Sequence, residues 1–226
     1  MTTTKSGAPM EAEDKTTNPD GRIRVLVADD HPVVRTGLSA VIIEQGDLEV
    51  VAEAENGERA VALFREHRPD VVLMDLRMPV MDGVEAIRTI TAEFPAARIL
   101  ALTTYEGDAD IRRALEAGAR GYLLKDMLLT EVISAVRAVR RGERVIPAAV
   151  ATRLAEFPER SELSERELEV LQLVARGLSN KEVARAIGRT DETVKIHLKN
   201  IFAKLDVADR TEAVTVALTR GLIHLD

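Results

Sequence analysis

Residues 70–75 read DVVLMD and residues 23–29 read IRVLVAD, two short apolar runs that each end on a carboxylate. Comparable runs lie at 48–54, 97–103 and 121–124, and all five are short enough to be buried strands. Segments with helical spacing of apolar residues fill the intervals, at about 32–45, 57–67, 83–93, 108–117 and 130–141. This strict alternation predicts a doubly wound α/β domain around a five-stranded parallel sheet.

The second part of the chain has a different character, because from Ser164 onward every segment is helical in pattern and no strand signal returns. Ser164 and Ser179 each begin a capping box, in which a glutamate follows three residues later. The pattern predicts an all-α domain of four helices, of which the first two end at Gly177 and Gly188, the third spans 190–205, and the last begins at Asp209 or Thr211.

These patterns divide the chain into four parts. Residues 1–21 are mostly polar and have little to bury, so we expect a disordered tail. The α/β domain is predicted at 22–142 and the helical domain at 161–226. Between them, 143–160 contains two prolines and no strand signal, which indicates a linker that is partly helical near 149–156.

The composition favours a globular protein of the cytoplasm, with 46% hydrophobic and 31% charged residues. No apolar run approaches the roughly 20 residues of a spanning helix, so no membrane association is expected. There are no cysteines, which excludes disulfides and thiolate metal sites. The net charge of −7 argues against nucleic acid, but residues 176–204 hold seven basic residues against three acidic ones. A local basic stripe of this kind suffices for contacts with phosphates.

Five polar groups follow the predicted strands at the edge of the sheet where ligands bind in such folds. These groups are Asp29, Asp30, Asp75, Thr103 and Lys125. Clustered carboxylates suit Mg²⁺, and an aspartate is a competent nucleophile toward phosphorus. A lysine and a hydroxyl would bind the remaining phosphoryl oxygens. The pattern therefore predicts phosphoryl transfer onto Asp75.

A structural role for these carboxylates is the alternative, because aspartate at the end of a strand is also a common helix cap. The adjacent pair Asp29–Asp30 favours function, since neighbouring like charges are costly without a cation between them. His31 follows this pair and is interpreted as a loop residue before Pro32.

The motifs VLVADDHPVVR (25–35), VVLMDLRMPVMDG (71–83), ALTTY (101–105) and GYLLKD (121–126) resemble the receiver domain of two-component response regulators, a flavodoxin-like fold. The resemblance implies that a partner sensor histidine kinase phosphorylates Asp75, and that such a receiver can also dephosphorylate itself without being a metabolic enzyme. It further implies that Mg²⁺ is bound by Asp29, Asp30, Asp75 and the Arg77 carbonyl. Thr103 and Tyr122 would be the pair of residues that switches conformation on phosphorylation. Lys125 would contact the phosphoryl group. Val80 departs from the family, in which many members have glycine in this loop.

The predicted helix 190–205 has a buried stripe at Val194, Leu198, Ile201 and Leu205, with lysines on another face. Charge alone would fit a solvated basic face on a helical bundle. However, LSERELEVLQLVARGLSNKEVARAIGRTDETVKIHLKNIFAKLDV (163–207) closely resembles the LuxR-type helix-turn-helix of the NarL/FixJ subfamily. Carried over by position, the groove-facing residues are Lys195, Ile196 and Lys199, and the candidates for phosphate contact are Thr193 and Lys204.

The subfamily resemblance also implies a mode of action. The unmodified receiver covers the recognition helix, and phosphorylation releases it and favours a homodimer on promoter DNA, paired through the last helix at about 211–220. Two other functions stay open from the residues alone. A phosphatase of the haloacid-dehalogenase type would need a second aspartate where this chain has Arg77. A regulator that binds DNA without phosphorylation would not need the acidic pocket.

Overall fold

The computed structural model describes residues 21–104, 107–127, 129–156 and 163–225. Its first part contains a parallel sheet in the order β2-β1-β3-β4-β5. Each strand is an apolar run of the sequence, and the three central strands are almost completely buried, as a sheet covered on both faces requires. The strands are β1 Ile23–Ala28, β2 Leu48–Ala54, β3 Val71–Asp75, β4 Ile99–Thr103 and β5 Gly121–Leu124. The predicted five-stranded α/β fold is confirmed.

Five helices follow the strands in alternation: α1 Pro32–Ile43, α2 Gly57–His67, α3 Gly83–Glu93, α4 Asp108–Glu116 and α5 Leu129–Arg140. Apolar residues of α1 and α5 pack on one face of the sheet, and those of α2, α3 and α4 pack on the other. The side chain of Asn56 caps the N-terminus of α2, and the side chain of Asp82 caps the N-terminus of α3. The turns that carry the candidate site are thereby fixed between rigid elements.

The stretch predicted as a linker packs against this α/β domain as far as residue 156. Val145 forms a parallel bridge with Gly121, and its carbonyl accepts a hydrogen bond of 2.9 Å from the Tyr122 N–H. Helix α6 (Ala148–Glu156) buries Val150 in the same cluster as α4. Residues 1–20 of the predicted tail, 157–160 of the predicted linker and 161–162 of the predicted helical domain lie outside the described residues.

The helical domain contains α7 Glu165–Ala175, α8 Asn180–Ala186, α9 Asp191–Leu205 and α10 Arg210–Thr219. Both predicted capping boxes are present, at Ser164 with Glu167 and at Ser179 with Glu182. The sequence left open whether the last helix begins at Asp209 or at Thr211. Asp209 is the N-cap of α10, so the helix begins directly after it. The four helices share one apolar cluster. Among the described residues, no helix is both long and apolar enough to cross a membrane.

Candidate functional site

Carboxylates gather at the carboxyl ends of β1 and β3, as the sheet topology predicts. Asp29 follows β1 and Asp75 ends β3, and both are buried, with 1% and 2% of their surface exposed. Asp30 is about one-third exposed. Ligand atoms of these three residues and of His31 lie within 4.8 Å of one another. The strands therefore bring the predicted acidic residues to one point.

Lys125 joins the two buried carboxylates. Its Nζ lies 2.7 Å from Asp29 Oδ2 and 2.8 Å from Asp75 Oδ2, and its backbone N–H donates to the Thr103 carbonyl at 2.8 Å. Burial opposes the charged lysine, but its bonds to Asp29 and Asp75 outweigh this and raise the pKa of Lys125. Burial raises the pKa of Asp75 even against the neighbouring ammonium. Asp75 is thus a desolvated carboxylate in contact with the ammonium group of Lys125.

The donor set fits a hard divalent cation. Asp29 Oδ2 and Asp30 Oδ1 are buried and accept no well-formed hydrogen bond from any described residue. Each lies instead beside a nitrogen, Lys125 Nζ for Asp29 and His31 Nδ1 for Asp30, the latter at 2.6 Å. Carboxylate oxygens with spare lone pairs are the ligands that Mg²⁺ prefers.

His31 was expected to be a loop residue, and it does lie in the loop before α1, about two-thirds exposed. Its side chain nevertheless contacts Asp30, and its backbone N–H donates to Asp29 Oδ1 at 2.9 Å. The signal in the sequence was its position directly after the two aspartates, which brings it to the same edge of the sheet.

Thr103 and Tyr122 are both completely buried, on the neighbouring strands β4 and β5. Burial raises the pKa of the Tyr122 hydroxyl far above its ordinary value, and the negative charge of Asp110 adds to this. The two residues of the implied switch pair are thus both inside the domain, with the Tyr122 ring already turned inward. Tyr105, the other tyrosine of the chain, lies outside the described residues.

The loop after Asp75 is tightly built. Gly83 donates its N–H to the Leu76 carbonyl at 3.0 Å, and a Cβ at this glycine would lie 2.0 Å from the Asp75 carbonyl oxygen. Arg77 donates its backbone N–H to Asp75 Oδ1 at 3.2 Å. Val80 has a φ of 70° and is 80% exposed, so a β-branched residue occupies backbone space that favours glycine.

Helix α9 and the turn before it form a helix-turn-helix with α8. The turn contains Gly188 at a φ of 64°, and the Arg189 N–H closes it with a 2.8 Å hydrogen bond to the Ala184 carbonyl. Helix α9 buries the four apolar residues that its spacing predicts: Val194, Leu198, Ile201 and Leu205. Its outward face is exposed at Lys195, Ile196 and Lys199, and 56% of Ile196 is accessible to solvent.

Two of the predicted DNA-contacting lysines have carboxylate partners within the domain. Lys195 Nζ lies 3.3 Å from Asp191 and 3.2 Å from Glu192, on its own helix. Lys204 Nζ lies 2.6 Å from Glu167, the capping glutamate of α7, whose side chain is buried. Helical spacing in the sequence could reveal the contacts of Lys195. It could not reveal the contact of Lys204 with Glu167, because these two residues are 37 apart in the sequence. Thr193 hydrogen-bonds through its hydroxyl to the N-cap Thr190 at 2.9 Å.

The contact between the two domains differs from the expected one. Among the described residues, the α/β domain leaves the outward face of α9 exposed and instead contacts the end of α10 and the residues after it. Arg220 forms an ion pair of 2.9 Å with Asp108 of α4, and the Arg220 carbonyl accepts a hydrogen bond from the Ala109 N–H at 3.0 Å. The cover over the recognition helix that the resemblance implies for the unmodified receiver is therefore not seen among the described residues.

Two protein-family models match the chain: the response regulator receiver domain over residues 25–137, and the luxR family of bacterial regulatory proteins over residues 161–217. The response regulator protein VraR of Staphylococcus aureus strain Mu3 is 43% identical over 207 residues, which cover 89% of this chain and 99% of VraR.

Solved structures similar to this chain are also response regulators. The response regulator ChrA of a heme-sensing two-component system is 42% identical, with a TM-score of 0.55 over 90% of this chain and 100% of that one. A structure of two RcsB dimers bound to two parallel DNAs is 27% identical, with a TM-score of 0.64 over 88% of this chain and 98% of that one.

The chain belongs to the two-component response regulators, in which a receiver domain is joined to an output domain. Within that class it is a transcription regulator whose output is a luxR-family DNA-binding domain, and it is not a metabolic enzyme.

Proposed function

We propose that a sensor histidine kinase phosphorylates Asp75, and that this modification controls binding of promoter DNA by α9. The observation that carries the proposal is the group of Asp75, Asp29 and Lys125, in which a buried carboxylate lies within 2.8 Å of an ammonium. An ion pair this deeply buried is costly to build and is a weak means of stabilising a fold. A chemical role accounts for it better than a structural one.

In the proposed reaction, an oxygen of Asp75 attacks the phosphorus of a phosphohistidine. The new P–O bond forms as the P–N bond breaks, and the imidazole of the kinase leaves with the electron pair. Lys125 neutralises one phosphoryl oxygen, and the Thr103 hydroxyl donates a hydrogen bond to another. Removal of the phosphoryl group by water at the same site accounts for self-dephosphorylation.

We assign Mg²⁺ to the carboxylates of Asp29, Asp30 and Asp75 together with the Arg77 carbonyl. When bound, the ion supplies charge neutralisation on the phosphoryl oxygens. Asp29 and Asp30 support this assignment, because each has a buried oxygen without a well-formed hydrogen bond from the described residues. Chelation of divalent cations should therefore abolish phosphorylation of Asp75.

For the output, we propose that Lys195, Ile196 and Lys199 enter the major groove and that Thr193 and Lys204 contact phosphates. The exposure of the first three residues supports this set. A phosphate contact by Lys204 would compete with its ion pair to Glu167, so Lys204 should contribute less than Lys199. The dimers of RcsB on DNA support a homodimer of this chain on promoter sites, and a DNA-binding role implies action in the cytoplasm.

The phosphatase alternative requires an acid–base group two residues after the nucleophile. That residue is Arg77, and its guanidinium contacts Asp110 and His224. An always-protonated arginine cannot exchange a proton with a leaving group. A phosphorylation-independent regulator is the second alternative, and DNA affinity with and without a phosphoryl donor separates it from the proposal.

The deciding experiment measures incorporation of radioactive phosphate from a kinase or a small phosphoryl donor. Wild type should incorporate acid-stable, base-labile label, and Asp75→Asn should incorporate none while keeping its circular dichroism spectrum. Asp82→Asn is the matched control, because Asp82 caps α3 at the same edge of the sheet and asparagine also caps helices. Label on Asp75→Asn would refute the assignment.

DNA contacts are tested by a gel-shift series. Lys199→Ala should lose affinity on all sites, and Ile196→Ala should change the preferred sites more than the affinity. Arg59→Ala, on the exposed surface of α2 in the receiver, is the control. Wild-type behaviour of both α9 variants would remove α9 as the reading helix.

A further inference from the structure

Two acidic side chains lie in the first turn of α9, the helix that we assign to the major groove. Asp191 and Glu192 both contact Lys195, whose Nζ lies 3.3 Å from the first carboxylate and 3.2 Å from the second. A carboxylate near a helix N-terminus stabilises the helix, which accounts for one of them. A second carboxylate on a surface that approaches phosphates lowers the affinity for every DNA sequence. Its presence is better explained by a role in reading bases.

Glu192 lies on the outward face of α9, whereas Asp191 lies beside the buried stripe. Successive residues of a helix are about 100° apart around its axis, so Glu192 is about 100° away from Asp191. It is within about 60° of all three residues that we assign to the groove: Lys195, Ile196 and Lys199. The exposed fractions agree, at 76% for the Glu192 side chain and 36% for that of Asp191. Glu192 therefore belongs to the reading face itself.

The pair of Glu192 and Lys195 has a hydrogen-bonding pattern that complements a G·C base pair. In the major groove, guanine presents the acceptors O6 and N7, and cytosine presents the N4 amino group as a donor. Lysine donates to the guanine acceptors, and a glutamate accepts from the cytosine amino group. The two charged groups lie 3.2 Å apart in the protein, close to the spacing of about 3.4 Å between successive base pairs. Both can therefore contact one base pair, or two adjacent ones, from a single helix.

We propose that Glu192 is a specificity-determining residue, which accepts a hydrogen bond from the N4 amino group of a cytosine while Lys195 donates to a guanine. A thymine or guanine in place of that cytosine presents only acceptors to the carboxylate, which is then left unpaired in the interface. Glu192 thus lowers the affinity for DNA in general and is compensated only where cytosine occupies the right position. This inference rests on the proposed assignment of α9 to the major groove.

Selection of bound duplexes from a random DNA library tests the proposal, with the full chain and a small acyl phosphate as phosphoryl donor. Wild type should select cytosine at one position of its site. Glu192→Ala should discriminate against the other bases there about tenfold less strongly, since a mismatched base pair typically costs about that factor. The affinity of this variant for unrelated DNA should rise about twofold at low salt, because a unit charge about 8 Å from a phosphate in water is removed.

A base analogue isolates the hydrogen bond. Pyrimidin-2-one lacks the N4 amino group and can replace the selected cytosine opposite guanine, and its effect on the duplex itself is common to all protein variants. The replacement should weaken binding of wild type about tenfold and binding of Glu192→Ala by less than about twofold. Equal weakening of both proteins would show that another group reads this cytosine, and would overturn the proposal.

Asp191→Ala is the matched control, because it removes the other carboxylate partner of Lys195 from the same turn but from outside the reading face. It should keep the preference for cytosine. If it loses this preference as fully as Glu192→Ala does, the effect is one of charge on Lys195, and the proposed base contact is wrong.

Glu192→Gln serves as a second variant if Glu192→Ala does not fold. It should admit adenine at the same position, because glutamine pairs with adenine through two hydrogen bonds. If the folded Glu192 variants select the wild-type site with an unchanged preference, Glu192 does not read a base.

Failure of the proposed reading face would give a different result. Lys199→Ala and Ile196→Ala would then bind and select DNA as wild type does, while the Glu192 variants would still report whether this carboxylate reads a base. If only the Glu192 variants behave as wild type, α9 remains the reading helix and the role of Glu192 alone is wrong.

Discussion

Val80 provides a test of how strain is distributed around the acidic pocket at Asp75. Its backbone has a φ of 70°, and its side chain is 80% exposed in the loop between β3 and α3. Left-handed backbone costs a residue with a Cβ about 1–2 kcal/mol, and glycine avoids this cost. Val80→Gly should therefore relieve the strain while removing few contacts.

The expected magnitude depends on two opposing effects. Glycine increases the conformational entropy of the unfolded chain, which costs about 0.4–1 kcal/mol. The lost contacts are worth a few tenths of a kcal/mol, since only about a fifth of the side chain is buried. The net effect is a gain of about 0.5 kcal/mol in the free energy of unfolding.

Val33→Gly is a matched control, because Val33 is 84% exposed but lies in regular helix at the start of α1. The entropy cost and the small contact loss are similar there, and no strain is relieved, so this variant should lose about 1 kcal/mol. The two variants should differ by about 1–2 kcal/mol. The contribution of the unfolded state is similar in the two variants and therefore largely cancels in this difference.

The assay is urea denaturation of the full chain followed by far-ultraviolet circular dichroism, since the protein has no tryptophan. The transition that moves in Val33→Gly identifies the receiver. Equal destabilisation by both variants, within about 0.3 kcal/mol, would refute the strain at Val80.

Two further predictions use the same measurement. Gly83→Ala should destabilise the receiver by about 3 kcal/mol, because its Cβ would lie 2.0 Å from a backbone oxygen, whereas Gly37→Ala in α1, with nothing within 4 Å, should be neutral or stabilising. Equal effects would contradict the close approach. Burial alone would raise the pKa of Glu167, but Lys204 and the hydrogen bonds from Ser164 hold it below 4.5. A lowered carboxyl pKa contributes stability that is present above 4.5 and lost as the pH falls through the lowered value. The DNA-binding domain should therefore lose stability in acid, and Lys204→Ala should flatten that dependence; an unchanged slope would exclude the ion pair as its cause.

The sheet and its acidic pocket were predictable because both follow from local patterns and one rule of topology. Apolar runs identify the strands, and parallel strands bring their carboxyl ends to one edge, so Asp29, Asp75 and Lys125 had to converge. The buried stripe of α9 follows in the same way from helical spacing. Boundaries differ from the predicted ones by at most two residues in the strands and helices of the receiver.

Features that depend on pairing between distant segments were not predictable. The Arg220–Asp108 contact spans 112 residues, and nothing in either local sequence distinguishes these residues from other surface charges. The packing of α6 against α4 left a weak signal, since Val150 and Leu154 are spaced four apart within the predicted linker. A helix with one apolar stripe needs a surface to cover, and the exposed side of α4 provides it.

The exposed outward face of α9 has a consequence for the order of events on DNA. A subunit whose reading helix is accessible need not pair before it meets a promoter, so we expect single subunits to occupy half-sites. Two subunits on adjacent half-sites would then be at a high effective concentration, so the proposed pairing through α10 would need little affinity of its own. In this protein the promoter itself would act as the template on which the dimer assembles.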